Sequence, residues 1–240
     1  MYAPWQRGRS DDAHACIRRR TSGVCTRWLR AFGFAAPSQS AADSPAPGEQ
    51  TSAPEEVGNN TYHIAAYGIT VTAPEGWHVA DSELMDKIMD MGLDVTKSNM
   101  DASSKAVIDS AMKRGGPLFT FSEFPPGAPR DSNAMLMAVS EDVSAGPGIV
   151  RGTDYFFHTR RLLAQSPVPT TISDAYSERL IDGQSFDRMD MMVGPPGREI
   201  SQRMYARRHD DHMVLFVQAY QTDEQLATLD AALNGIKLDW

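Results

Sequence analysis

His209-Asp210-Asp211-His212 is the sharpest cluster of metal-competent side chains in the sequence. Imidazole nitrogens and carboxylate oxygens both serve zinc, nickel or manganese. The four stand between two strand-like runs, however, and that is the setting of a hairpin tip, where neighbouring side chains diverge. A solvated turn is therefore the favoured reading, with His209, Asp210, Asp211 and His212 held as the candidate ligands of a metal site. No catalytic and no cofactor-binding residue is assigned, and no cofactor is expected.

Other residues that could do chemistry have simpler explanations. Met85, Met89 and Met91, and later Met189, Met191 and Met192, could suggest a soft-metal site. Met85 and Met89 lie four apart on one side of a helix, and Met189 and Met191 alternate onto one strand face. Methionine is also adaptable core filler, and that is the reading adopted. Trp77 follows a glycine at a strand end, where a large hydrophobe packs over a sheet. His158 with Arg160 and Arg161 could meet an anion, although a solvated helix face explains them as well. Nucleophilic catalysis needs a poised serine or cysteine. No Gly-x-Ser-x-Gly elbow, phosphate-binding loop or dinucleotide fingerprint is present. Both cysteines, Cys16 and Cys25, precede the body of the chain, so residues 60–240 hold no Cys nucleophile, Cys-ligated zinc or disulfide. These absences argue against an enzyme of a common class.

The composition, 41% hydrophobic and 22% charged, is that of a globular protein. Residues 1–59 read as an N-terminal tail and linker, expected to be disordered or to be read from a start codon set too far upstream. Residues 1–30 carry seven Arg and two Asp, and the stretch from Pro37 to Asn59 is rich in Pro, Ser, Ala, Gly and Glu. The apolar run Ala31–Ala36 is too short for a secretory core, and neither cysteine follows an apolar run that would mark a lipid anchor. No stretch is long enough for a transmembrane helix. The expected compartment is cytoplasmic by default, with periplasmic as the alternative. Residues 60–240 read as one α+β domain with 16 Lys and Arg against 25 Asp and Glu. That balance disfavours nucleic acid, whose phosphates need clustered cations.

Within this body, strands are read at Tyr62–Tyr67, at Ile69–Ala73 with period-2 alternation, at Pro117–Phe124 carrying Phe119 and Phe121, and at Ala134–Val139, whose apolar run on both faces suits a central strand. Asp81 caps one helix carrying Leu84, Ile88 and Met91, and Asp101 caps a second carrying Val107, Ile108, Ala111 and Met112. A third helix is expected over Thr153–Gln165. The last third is strand at Ser173–Ile181, Ser185–Val193, Arg198–Arg208 and Met213–Tyr220, joined by Asp182-Gly183, Gly194-Pro195-Pro196-Gly197 and the 209–212 turn. Thr222 and Gln225 spell a capping box for a helix with Leu226, Leu229 and Leu233 inward. Gly235 ends it, and Ile236–Leu238 is a short final strand. Strand runs with helices inserted between them give an antiparallel sheet covered by helices.

Tyr67-Gly-Ile-Thr-Val-Thr-Ala-Pro-Glu-Gly-Trp77 resembles the opening of PsbP-like domains. The Val-Leu-Phe-Val strand at 214–217, the capped helix at 222–234 and Gly-Ile-Lys-Leu at 235–238 are similar to their ending. The resemblance implies an α/β/α sandwich over residues 60–240. It also implies binding to other proteins in place of catalysis: the superfamily takes in a photosystem extrinsic protein, the Ran-binding Mog protein, bacterial envelope proteins and chaperones of secreted toxins. The helical stretch at 81–114 is longer than that pattern, and no catalytic residue carries over.

Three functions follow as expectations. The first is a non-catalytic protein-binding or accessory module using one sheet face, with another protein as partner and a dimer as one form. The second is a metal-binding protein or hydrolase built on the acidic body and the 209–212 turn. The third is a chaperone for a secreted toxin.

Overall fold

The computed structural model describes residues 54–98, 102, 105, 106, 115–130, 132–146 and 148–240. Twelve strands form among them: β1 Glu55–Gly58, β2 Thr61–Ile64, β3 Ile69–Thr72, β4 His78–Val79, β5 Gly116–Ser122, β6 Met135–Asp142, β7 Thr170–Ile172, β8 Ser177–Ile181, β9 Gln184–Val193, β10 Ile200–His209, β11 His212–Tyr220 and β12 Lys237–Leu238. The helices are α1 Ser82–Lys97, α2 Gly152–Leu163 and α3 Asp223–Asn234. Every strand pairing is antiparallel. The large sheet runs β4-β5-β6-β11-β10-β9-β7 with β8 also on β9, and the small one runs β1-β2-β3-β12.

Alternation along the central strands sorts the side chains into two layers. Leu136, Ala138, Val214, Phe216, Tyr205 and Phe186 face the small sheet and α3, and close a core with Ile64, Ile69, Val71, Leu229 and Leu233. On the reverse face Phe156 of α2 packs into Met189, Met191, Val193, Ala206, Met213 and Leu215. Met85 of α1 is buried, and Met89 packs on Met135, Met137 and Val217 of that same reverse face. Helices on both sides of an antiparallel sheet make the α+β, α/β/α arrangement expected above.

Local chemistry sets the joints. Asp182 and Gly183 (φ 47° and 78°) take the left-handed pair that a tight hairpin between β8 and β9 requires. The Asp81 carboxylate accepts from Leu84 N at 2.8 Å and opens α1. Thr222 Oγ1 accepts from Gln225 N at 3.2 Å while Gln225 Oε1 accepts from Thr222 N at 3.3 Å, the reciprocal box expected of α3.

Several expectations change. Glu55–Gly58, at the end of the expected linker, is a strand that pairs with β2 through the Asn59-Asn60 turn, where both residues have positive φ. Four exposed residues give no buried alternation to read, so composition alone hid it. Of the strand expected over Ser173–Ile181 only Ser177–Ile181 forms, as β8, and Thr170–Ile172 adds a short strand, β7, that was not expected. Among the side chains described on α1 the buried one is Met85, with Leu84 and Ile88 only half-buried; that of Met91 lies outside the described residues. Residues Asp101, Val107, Ile108, Ala111 and Met112 lie outside the described residues.

Candidate functional site

The 209–212 segment forms a two-residue hairpin loop, with His209 and His212 as its closing cross-strand pair. Cross-strand partners point to the same face of a sheet, so the two imidazoles do not diverge as expected; only Asp210 and Asp211 occupy the tip. Both rings are engaged. His209 stacks on Trp240 with centroids 4.5 Å apart, and His212 meets Tyr67 edge-on at 5.6 Å. Trp240 Nε1 donates to Tyr67 O at 2.6 Å and locks the aromatic cap. Asp210 and Asp211 sit outside it, with Arg208 reaching Asp210 O at 2.7 Å and the Asp211 carboxylate at 3.3 Å. Among the described residues no group of three or more His, Cys, Asp or Glu is placed to hold a metal.

The methionines divide by face. Met189 and Met191 are core under α2, while Met192 points the opposite way and is 48% exposed. Trp77 packs against the first core. On α2, His158 lies edge-on to Phe157, and Arg160 sits over the Tyr176 ring, with its Nε donating to the Tyr176 hydroxyl and its Nη2 to Ser173 O. Arg160 therefore joins the β7–β8 connection to α2.

Two acids serve the joint beneath α2. Asp187 is buried; Arg151 Nη2 reaches it at 3.0 Å and Thr153 N at 3.0 Å. Glu141, on the same face of β6, bonds Tyr155 of α2. Burial pushes the Glu141 carboxyl up, against a smaller pull down from that hydrogen bond. Burial, followed by the Glu141 charge, raises the Tyr155 phenol well above its usual range. Because the folded state holds the Glu141 proton more tightly than the unfolded chain, the resulting stability is complete below the unfolded carboxyl pKa, about 4.3, and is lost as pH rises through the folded value. Glu141→Gln keeps an acceptor for Tyr155 and removes the charge. The variant's melting temperature is expected to gain on the wild type as pH rises from about 4.5 to 7. A difference that stays flat across thermal melts in that window would sink this assignment.

On the opposite face, α3 crosses the strands. Gln225 near its start bonds Glu123 at 2.8 Å, and Asn234 at its end bonds Arg179 of β8 at 2.7 Å. Midway, Asp230 accepts from Arg179 Nη1 at 2.8 Å, from Gln218 Nε2 at 3.2 Å and from Arg203 Nη1 at 3.5 Å. Gln218 in turn accepts from the Tyr205 hydroxyl at 3.1 Å. Burial raises the Tyr205 phenol, opposed by the charges of Arg179, Arg188 and Arg203.

Past this crossing the sheet carries one more row. Thr171, Met192, Ser201 and Tyr220 stand opposite one another across β7, β9, β10 and β11. Thr171 and Met192 are exposed, Ser201 and Tyr220 half-buried. The next row inward is Asp190, Arg203 and Gln218, and the next holds Arg188, Tyr205 and Phe216. Sequence reading found Met192 but placed it among core methionines, and it gave Arg188, Arg203 and Tyr220 no role. Their convergence depends on strand register, which alternation within each strand does not specify.

No family model matches the chain, and no curated protein matches it. Among solved structures, the chain is similar to the solution structure of cyanobacterial PsbP from Synechocystis. That similarity covers 81% of this chain and 98% of that one, at 13% identity and a TM-score of 0.44.

Proposed function

We propose that this chain is a non-catalytic binding or accessory module whose partner, another protein, docks on the sheet face left open beside α3. One observation carries the reading: the row Thr171–Met192–Ser201–Tyr220 continues the sheet beyond its helix cover, with a 48% exposed methionine at its centre. Adaptable, polarisable Met and an amphipathic Tyr suit a surface that receives a partner. Among the described residues the polar clusters named above join elements: Asp187 and Glu141 under α2, Asp230 under α3, and the two histidines in the aromatic cap.

Met192→Asp in the full chain tests this. An exposed position predicts a stability change within about 0.5 kcal/mol, so folding is preserved. Affinity capture with mass spectrometry, together with light scattering for self-association, is expected to show a partner or dimer that the wild type holds and the variant loses. Capture and oligomeric state identical in the two proteins would overturn the reading.

A further inference from the structure

We infer that the partner segment received by this face is acidic and extended, a carboxylate meeting Arg203 while its apolar residues lie on Met192 and Tyr220. The inference rests on the binding role proposed above and specifies its chemistry.

Four guanidiniums share this face on three adjacent strands: Arg179 of β8, Arg188 of β9, and Arg203 and Arg207 of β10. Two carboxylates answer them there, Asp190 from β9 and Asp230 from α3. In a body where acids outnumber bases by 25 to 16, the local balance is reversed. Arg179 is fully engaged by Asp230 and Asn234, and Arg207 donates to Ser185 O. Arg188 holds Asp190 through two of its nitrogens.

Arg203 is the least satisfied of the four. It is the second cation on Asp230, at 3.5 Å, while Arg179 and Gln218 approach that carboxylate more closely. Its Nε is buried and has no hydrogen-bond partner. Its guanidinium lies over the ring of Tyr220, a residue of the open row, 5.5 Å from the centroid. A cation so placed favours an added carboxylate.

The charge count selects the ligand. Asp230 answers Arg179 and Asp190 answers Arg188, so beside the open row Arg203 is the cation without a carboxylate of its own, which matches a single carboxylate, whereas a polyphosphate would bring more charge than the patch can answer. Spacing agrees as well. The rows holding Met192 and Tyr220, Arg203, and Arg188 succeed one another at about 7 Å, the repeat of same-face residues along an extended strand. A segment alternating acidic and apolar residues can place both kinds on this surface.

The probe is a fluorescein-labelled ten-residue peptide of alternating Glu and Val, with a Lys and Val peptide of equal length as control, read by anisotropy against the full chain. The Glu peptide is expected to bind and the Lys peptide not to. Raising NaCl from about 0.05 to about 0.3 M should weaken binding several-fold. Arg203→Gln should weaken it at least tenfold, while Arg161→Gln on the opposite side of the sheet should leave it unchanged. Met192→Asp should weaken and Met192→Lys tighten binding, and these surface changes give the answer even where the Arg203 variant fails to fold. Equal binding of both peptides, no binding of the Glu peptide, or indifference to both Met192 variants would overturn the inference. If Met192→Asp abolishes partner capture while the Glu peptide does not bind, the acidic chemistry is wrong and the docking face stands. If Met192→Asp leaves capture intact, the docking face itself falls.

Discussion

Gly152→Ala is expected to destabilise the fold by about 1–3 kcal/mol, an unusual cost for adding one methyl at the start of a helix. A Cβ at this position would lie 2.4 Å from Ala206 O and 2.8 Å from Asp187 Cβ. Neither contact is the free end of a flexible chain: one is a backbone oxygen of β10, the other the root of a buried aspartate. The first turn of α2 would have to rise from the sheet, and it would take with it the Thr153 N bond to Asp187 and the seat of Phe156. Chemical denaturation should show the loss at constant m-value. A variant as stable as the wild type would mean that α2 does not sit this close to β9 and β10.

Phe216→Ala should cost more, about 3–5 kcal/mol. Phe216 is fully buried at the centre of the larger core, with Phe186 at 5.4 Å and Phe119 at 6.3 Å between ring centroids. It stands on β11, the strand between β6 and β10, so its neighbours are fixed from both sides and the cavity cannot readily collapse. Phe157→Ala is the matched control, since that ring is 58% exposed on α2 and its loss should stay within about 0.5 kcal/mol. Parallel urea titrations of the two variants decide the matter. Near-equal losses would contradict the core as described.

These two positions show what the sequence discloses and what it conceals. The turns at Asp182-Gly183 and 209–212 and the box at Thr222 and Gln225 are local, each set by residues that touch one another, and all three were legible. The apolar runs of β5, β6 and β11 announced strands because both of their faces are covered. Gly152 gave no local sign, because its partners lie more than thirty residues away on β9 and β10. The same holds for the candidate site. Arg188, Arg203, Met192 and Tyr220 come from three strands, and a one-residue slip in either pairing would turn them to different faces. The histidine pair was legible as a cluster and misjudged in direction, because a two-residue loop makes its flanking residues cross-strand partners.

The pairing of β12 with β3 governs the order in which the body can assemble. Leu238 stands opposite Ile69, and Asp239 N donates to Gly68 O at 2.9 Å. β3 thus waits for a strand that lies far along the chain from it. Until then Ile69 and Val71 lack their neighbour at that edge, and α3 lacks part of the floor it shares with β3. Contacts this distant along the chain raise contact order and slow folding. Until β12 docks on β3, therefore, the small sheet keeps an open edge.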